Sequence, residues 1–362
     1  MNMVHECSAR WRLDGGQKGS YNGPGSIFQE NTVRHRLIKL SIYAGSSALL
    51  ALPQLPGASA APTASYPTRP VRLIVPAGAS SNGDYRARQF AQKVSAALGQ
   101  QVIVDNRPGA NTIIGTEVAS RAAADGHTLL FAFHTFVINA HLYRKLPYDA
   151  ARQFVPVAGF GIVPVGLFVN TAVPANSVKE LIALAKAKPE DHTCVSVGNG
   201  SGQHLSCHQF NRLTGSKVRV IHYKELGQGI TDMLGGQISM VFDGLSVPLP
   251  LIKSGKLKAL AISGAARVSS LPALPTFGEA GLDAFDMAFW TGVFAPDGTP
   301  QAVIGTINRE SNAALKAPDI VQSLVDTGGA ALAGSPADFA AFVKAQSERW
   351  GAIIKDSGVR LD

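Results

Sequence analysis

Charge is scarce in this chain: Asp, Glu, Lys and Arg make up 16% of its 362 residues, aromatics 7%, and there are three cysteines. The basic residues form no Lys/Arg block and are not interleaved with aromatics, which argues against nucleic-acid binding. The formal charge of +8 reads instead as solubility and a mild attraction for anions. Nucleotide fingerprints are missing too. A P-loop needs Lys after its second glycine and none follows Gly83, while the run from Gly78 to Gly83 lacks the middle glycine of G-x-G-x-x-G. No H-E-x-x-H is present to complete a metal site around His204 and His208. No cofactor or metal is expected.

What the chain does have is apolar residue, 46% of it, enough to bury a large core and to fold as two lobes. Near its start, RHRLIKLSIYAGSSALLALPQLPGASAAP sets Arg34, Arg36 and Lys39 before an apolar segment and the small-x-small site Ala58-Ser59-Ala60. These are the three parts of a secretory signal peptide, cleaved near Ala60. A membrane anchor is the alternative, but Ser46, Ser47 and Pro53 interrupt the segment below the ~18 apolar residues a span wants. Residues 1–61 therefore read as leader: a signal at about 33–61, and a polar stretch 1–32 lying ahead of a translation start nearer Val33. The mature protein is expected to be soluble in the periplasm. Its two remaining cysteines, Cys194 and Cys207, permit one disulfide or two free buried thiols, and their separation does not decide between them.

Past the leader, apolar runs alternate with amphipathic stretches. VRLIVP (71–76), QVIVDN (101–106) and HTLLFAF (127–133) read as strands, separated by a helix over 85–99 and a helical segment near 114–124. Phe90, Val94 and Leu98 recur every fourth residue, and Gly99 stands where a left-handed cap ends the helix. The alternation resumes with a strand VPVGLFVN (163–170), a capping box Ser177-Val-Lys-Glu180 opening a helix that Pro189 stops, and strands TCVSVGNG (193–200), VRVIHY (218–223) and ISMVFD (238–243). Ser335-Pro336 announces the last helix, with Phe339, Phe342, Val343 and Trp350 on one side. The class is α/β, with mixed, mostly parallel sheets flanked by helices.

Two strand ends dissolve into small residues and then into helices: VPAGASSNGD (75–84) and VSVGNGSGQHLS (195–206). A helix start carries unpaired N–H groups and the positive end of the dipole, so each loop is a cup for a carboxylate or phosphate. One such loop is as well read as an ordinary βα turn; two, one per half, point to a ligand held between lobes. A secreted hydrolase using Ser201 with His204 is the rival reading. It fails at the nucleophile elbow, since Asn199 occupies the place of glycine. His204 can face the ligand or merely cap, and Asp84 and Asp243 can equally be caps and turn residues.

The mature chain resembles the Bug-type solute-binding proteins of tripartite tricarboxylate transporters, through YPTRPVRLIVP, DNRPGA (105–110), DGHTLLFA (125–132), NAHLYRKLPYD (139–149), GNGSGQHL (198–205), TDMLGGQISMVFD (231–243) and FAPDGTP (294–300). The resemblance implies a two-lobed, monomeric periplasmic binding protein of type II fold. It would close around a small carboxylate and pass it to a membrane permease, or, alternatively, present it to a membrane sensor. The chain would cross the hinge near 163–167 and 289–293, leaving 62–166 plus 290–362 as lobe 1 and 167–289 as lobe 2. It also implies a ligand set of Ala79, Ser80, Ser81, Asn82, Gly83 and Asp84 from the first loop, His134, Thr135 and Asn139 after the third strand, Asn199, Gly200, Ser201 and His204 from the second loop, and Asp243. The chain departs from the family pattern in its Ser80-Ser81 pair, in His134 and in Glu225. These departures point away from a tricarboxylate and toward an aromatic or amino-bearing carboxylate.

Overall fold

The computed structural model describes residues 66–79 and 81–361. The signal segment, its cleavage site, Cys7 and Ser80 lie outside the described residues.

Two sheets organise the chain. Strands β1 (Val71–Val75), β2 (Val102–Asn106), β3 (Thr128–Phe133), β4 (Phe154–Pro164), β10 (Ala288–Pro296) and β11 (Ala330–Ala331) form one, in the order β11-β4-β10-β3-β1-β2. Strands β5 (Gly166–Asn170), β6 (Thr193–Ser196), β7 (Arg219–His222), β8 (Met240–Asp243) and β9 (Leu257–Ile262) form the other, in the order β7-β6-β8-β5-β9. β1 runs parallel to β2 and β3, and β6 parallel to β7 and β8, whereas β10 and β5 are antiparallel to their neighbours. Strands covered by helices on both faces become nearly continuous apolar runs. VRLIV of β1 and GLFVN of β5 are of this kind.

The stretch 163–170, read from sequence as one strand, is the end of β4 and the whole of β5, which belong to different sheets. Val165 alone separates them. Its N–H donates to Ser263 Oγ (2.8 Å) and to the Met287 carbonyl (3.2 Å), and its carbonyl accepts from the Ser263 N–H (2.9 Å). Ser263 follows β9 and Met287 precedes β10, so the passages between sheets are stitched together at one point.

The helices are α1 (Asn82–Leu98), α2 (Ile113–Ser120), α3 (Thr135–Leu142), α4 (Val178–Ala187), α5 (Gly202–Thr214), α6 (Leu226–Leu234), α7 (Pro248–Lys253), α8 (Gln301–Ala314), α9 (Pro318–Asp326) and α10 (Pro336–Ser357). Local signals account for several boundaries. α1 ends at Gly99 with φ 66°, and α10 opens on a capping box between Ser335 and Asp338. At α4, Ser177 Oγ accepts from the Glu180 N–H, but the Glu180 carboxylate accepts from Asn176 rather than Ser177, so the expected box is shifted by one residue. α10 buries Phe339, Trp350 and Ile354 in a core cluster that also holds Ile74, Val165 and Phe210, joining residues of both sheets' layers. Cys194 on β6 and Cys207 on α5 are free and buried. Burial, with Cys207 alongside, raises the Cys194 thiol well above its ordinary value.

Candidate functional site

The carboxyl ends of β1, β3, β6 and β8 face one cavity of about 890 Å³ lined by both lobes. The first turns of five helices line it: Asn82 of α1, the Thr112 cap of α2, His134 and Thr135 at α3, Gln203 of α5, and Glu225 to Gly227 at α6. Each such turn presents backbone N–H groups that its own helix cannot satisfy, at the positive end of its dipole.

Of the residues expected from sequence, Ala79, Ser81, Asn82, Gly83, His134, Thr135, Asn199 and Asp243 line this cavity. Five others do not, and each is held by a neighbour. Asp84 is buried in the first turn of α1, where its carboxylate accepts from Arg88 Nε (2.9 Å) and Asn106 Nδ2 (2.9 Å), tying the helix to β2. Asn139, fully buried, makes a reciprocal amide pair with Asn111: its Nδ2 donates to the Asn111 carbonyl (2.7 Å) and its Oδ1 accepts from Asn111 Nδ2 (2.8 Å). Gly200, at φ 79°, abuts Leu142 and Leu361. Ser201 caps α5, accepting from the His204 N–H (3.2 Å), and shares a hydrogen bond with Ser196 Oγ (2.9 Å). His204 Nδ1 accepts from the Gly200 N–H (2.9 Å), and burial, then His222 and His208, hold its pKa down at about 4. The Ser201 hydroxyl and the His204 ring thus serve separate caps, not a proton relay.

The Asn111 contact holds an unusual segment. Ala110, Asn111 and Thr112 have φ of 44°, 50° and 73°. Left-handed backbone costs a non-glycine residue about 1–2 kcal/mol. Besides the Asn139 pair, Thr112 Oγ1 donates to Thr135 Oγ1 (3.1 Å), so α3 fixes the strained turn against the cavity wall.

His134 is packed by aromatic rings. Its ring lies parallel to Phe289 at 4.0 Å between centroids and near Trp350 at 5.8 Å, and neither ring nitrogen has a hydrogen-bond partner. Burial lowers its pKa to about 3, so it stays neutral. The ring is therefore already stacked within the protein. Room for it depends on Gly202, where a Cβ would stand 2.3 Å from Nε2.

Arg86 and Gln203 are among the lining side chains that sequence reasoning missed. Arg86, 4% exposed, donates to the hydroxyls of Ser323 (2.9 Å), Thr327 (2.9 Å) and Ser246 (3.3 Å), and burial lowers its pKa to about 10. Gln203 donates to Asp243 Oδ1 (3.4 Å), whose Oδ2 accepts from Asn82 Nδ2 (2.8 Å). Loops from both lobes thereby meet on one carboxylate. Glu225 also crosses the gap, its carboxylate 3.0 Å from where a Cβ on Gly78 would stand.

A two-lobed α/β protein whose helix starts converge from both lobes on one cavity is a solute-binding protein of the periplasmic binding protein class. The chain belongs to the tripartite tricarboxylate transporter family receptor family, whose description matches residues 86–359. It is a family of solute-binding receptors, not of enzymes. The chain is 34% identical to Protein BugT of Bordetella pertussis over 82% of its own length and 91% of that protein's. Among solved structures, it is similar to Rhodopseudomonas palustris Rpa4515 with adipate (32% identity, TM-score 0.78, covering 81% of this chain and 98% of that one). It is also similar to MatC of Rhodopseudomonas palustris with bound malate (28% identity, TM-score 0.75, covering 80% and 100%). Among the described residues no helix is long and apolar enough to cross a membrane.

Proposed function

We propose that this protein is a periplasmic receptor that captures a small carboxylate between its lobes and hands it to the membrane subunits of a tripartite tricarboxylate-type transporter. One observation carries the reading: three helix starts from one lobe and two from the other open on the same cavity. Such an array attracts an anion without requiring a dedicated cation, and small side chains let it approach the backbone. The adipate and malate held by two similar proteins support the same ligand class. Residues 62–166 with 290–362 act as one lobe and 167–289 as the other, closing as a monomer about the crossing at Val165. The signal at 33–61 directs export. Ser81, Asn82, Gly83, His134, Thr135, Asn199 and Asp243 contact the ligand, joined by Gln203.

A thermal-shift screen of residues 62–362 against mono-, di- and tricarboxylates tests this. A ligand at a hundred times its dissociation constant adds ~2.7 kcal/mol of stability. Stabilisation by one carboxylate class, lost in Ser81→Trp, supports the reading; a flat response to every carboxylate overturns it.

A further inference from the structure

The charges lining the cavity are Arg86 and Lys224 on one side of the balance and Glu225 and Asp243 on the other, so they cancel. His134 adds none, being neutral. The helix starts supply a positive field for one carboxylate, the lining side chains add no net cation for a second, and both lining carboxylates come from the second lobe.

Asp243 is the more telling of the two. It is 2% exposed, at the end of β8, and among the described residues no charged group counts among the influences on it. Its donors are the neutral amides of Asn82 and Gln203 and the Gly244 N–H. Burial pushes its pKa up to about 7, the direction expected of a carboxylate without a counter-ion. Beside it, Asn82 turns its amide donor to Asp243 and leaves Oδ1 buried with no partner. The result is a cluster of acceptors, Asp243 and Asn82 Oδ1, on the cavity wall. Opposite charge is available elsewhere in the lining. Arg86 is paired only with hydroxyl, amide and carbonyl oxygens, and the helix starts at Asn82 and Thr135 present N–H groups.

We infer that the ligand is an amino-bearing carboxylate, whose ammonium group is received by Asp243 and Asn82 Oδ1 and whose carboxylate is received by the helix starts. The inference rests on the carboxylate reading above and narrows it. An ammonium supplies the donor that Asn82 Oδ1 lacks and the counter-ion that Asp243 lacks. A ligand without one leaves both unanswered and brings its own negative charge toward Asp243 and Glu225.

Matched pairs that differ by one amino group separate the possibilities: aspartate against succinate, glutamate against glutarate, and phenylalanine against 3-phenylpropionate, titrated calorimetrically at pH 7.5 into residues 62–362. In at least one pair the amino member binds tenfold or more tighter. Asp243→Asn, nearly isosteric and checked for folding by its thermal transition, removes that advantage, read as the ratio of the two dissociation constants within each pair. If the members without an amine bind equally well or tighter, or if Asp243→Asn leaves the ratio unchanged, the amino inference falls and carboxylate capture stands. If no compound of either kind binds, both fall together.

Discussion

The two loops that enter helices at the cavity are near copies in backbone and opposites in side chain. Ser81 caps α1 at φ −74°, ψ 162°, and Ser201 caps α5 at φ −64°, ψ 162°; each hydroxyl accepts from the N–H three residues on. Beyond the caps the likeness ends. The first loop is followed by Asp84, neutralised by Arg88, and the second by His204, turned back onto Gly200. The one place where the loops agree again is their target: Asn82 and Gln203 both donate to Asp243. A repeated backbone device offers the same N–H groups twice, while the side chains behind it decide how much charge reaches the ligand.

The largest effect that breaks this symmetry is expected at Gly202. A side chain there meets His134 at 2.3 Å and Phe289 at 2.5 Å, so Gly202→Val destabilises by about 3 kcal/mol, the upper end for overpacking. Urea unfolding measures it. The two caps come next and sharpen the contrast. Ser201→Ala removes a cap and also the Ser196 partner in a fully buried site, costing about 2 kcal/mol; Ser81→Ala loses its cap alone, about 1 kcal/mol. Equal losses would show that the Ser196 contact contributes nothing. Smaller again is Asp84→Asn, about 1 kcal/mol or less, since Arg88 is 55% exposed and its pairing is screened. Its ligand affinity stays within about twofold, as measured by calorimetry, because Asp84 lies behind the cavity wall and not on it.

The smallest effect is the parent protein's own pH slope, because two opposed contributions cancel. Asp243 titrates at about 7 in the folded chain, above its ordinary 3.8, so the folded state holds the proton longer than the unfolded one. Its contribution is complete below about pH 4 and is lost as pH rises through 7. His134 works the other way. With its pKa depressed from 6.5 to about 3, it withdraws stability as pH falls below 6.5. The two oppose each other between about pH 4 and 6.5, leaving the ligand-free protein little net dependence from this pair. Asp243→Asn removes one side, and its stability relative to the parent improves as pH rises from 5 to 8. A difference that does not vary with pH would refute the assignment.

Much of the frame was legible because its signals are local. The alternating periods, Gly99, Ser177 and Ser335-Pro336 are read within a few residues of where they act. The break at Val165 was not legible, since an unbroken apolar run looks the same whether it stays in one sheet or crosses to another. Sequence also named two loops that line the cavity but could not say which way each side chain turns. Asn139 and Ser201 belong to the site's surroundings, yet their polar atoms are spent on Asn111 and Ser196. Arg86 escaped notice for a related reason. On an amphipathic helix an arginine reads as solvent-facing, and it is buried here by Ser323 and Thr327, far along the chain.

The left-handed run at Ala110 to Thr112 bears on kinetics. Three strained residues are clamped by Asn139 and Thr135, so the bend is held by the protein's own hydrogen bonds. An arriving solute therefore meets a finished wall and does not have to order it. With a solute captured between the lobes as proposed, its residence time should follow the rate at which the lobes open, not the refolding of a loop.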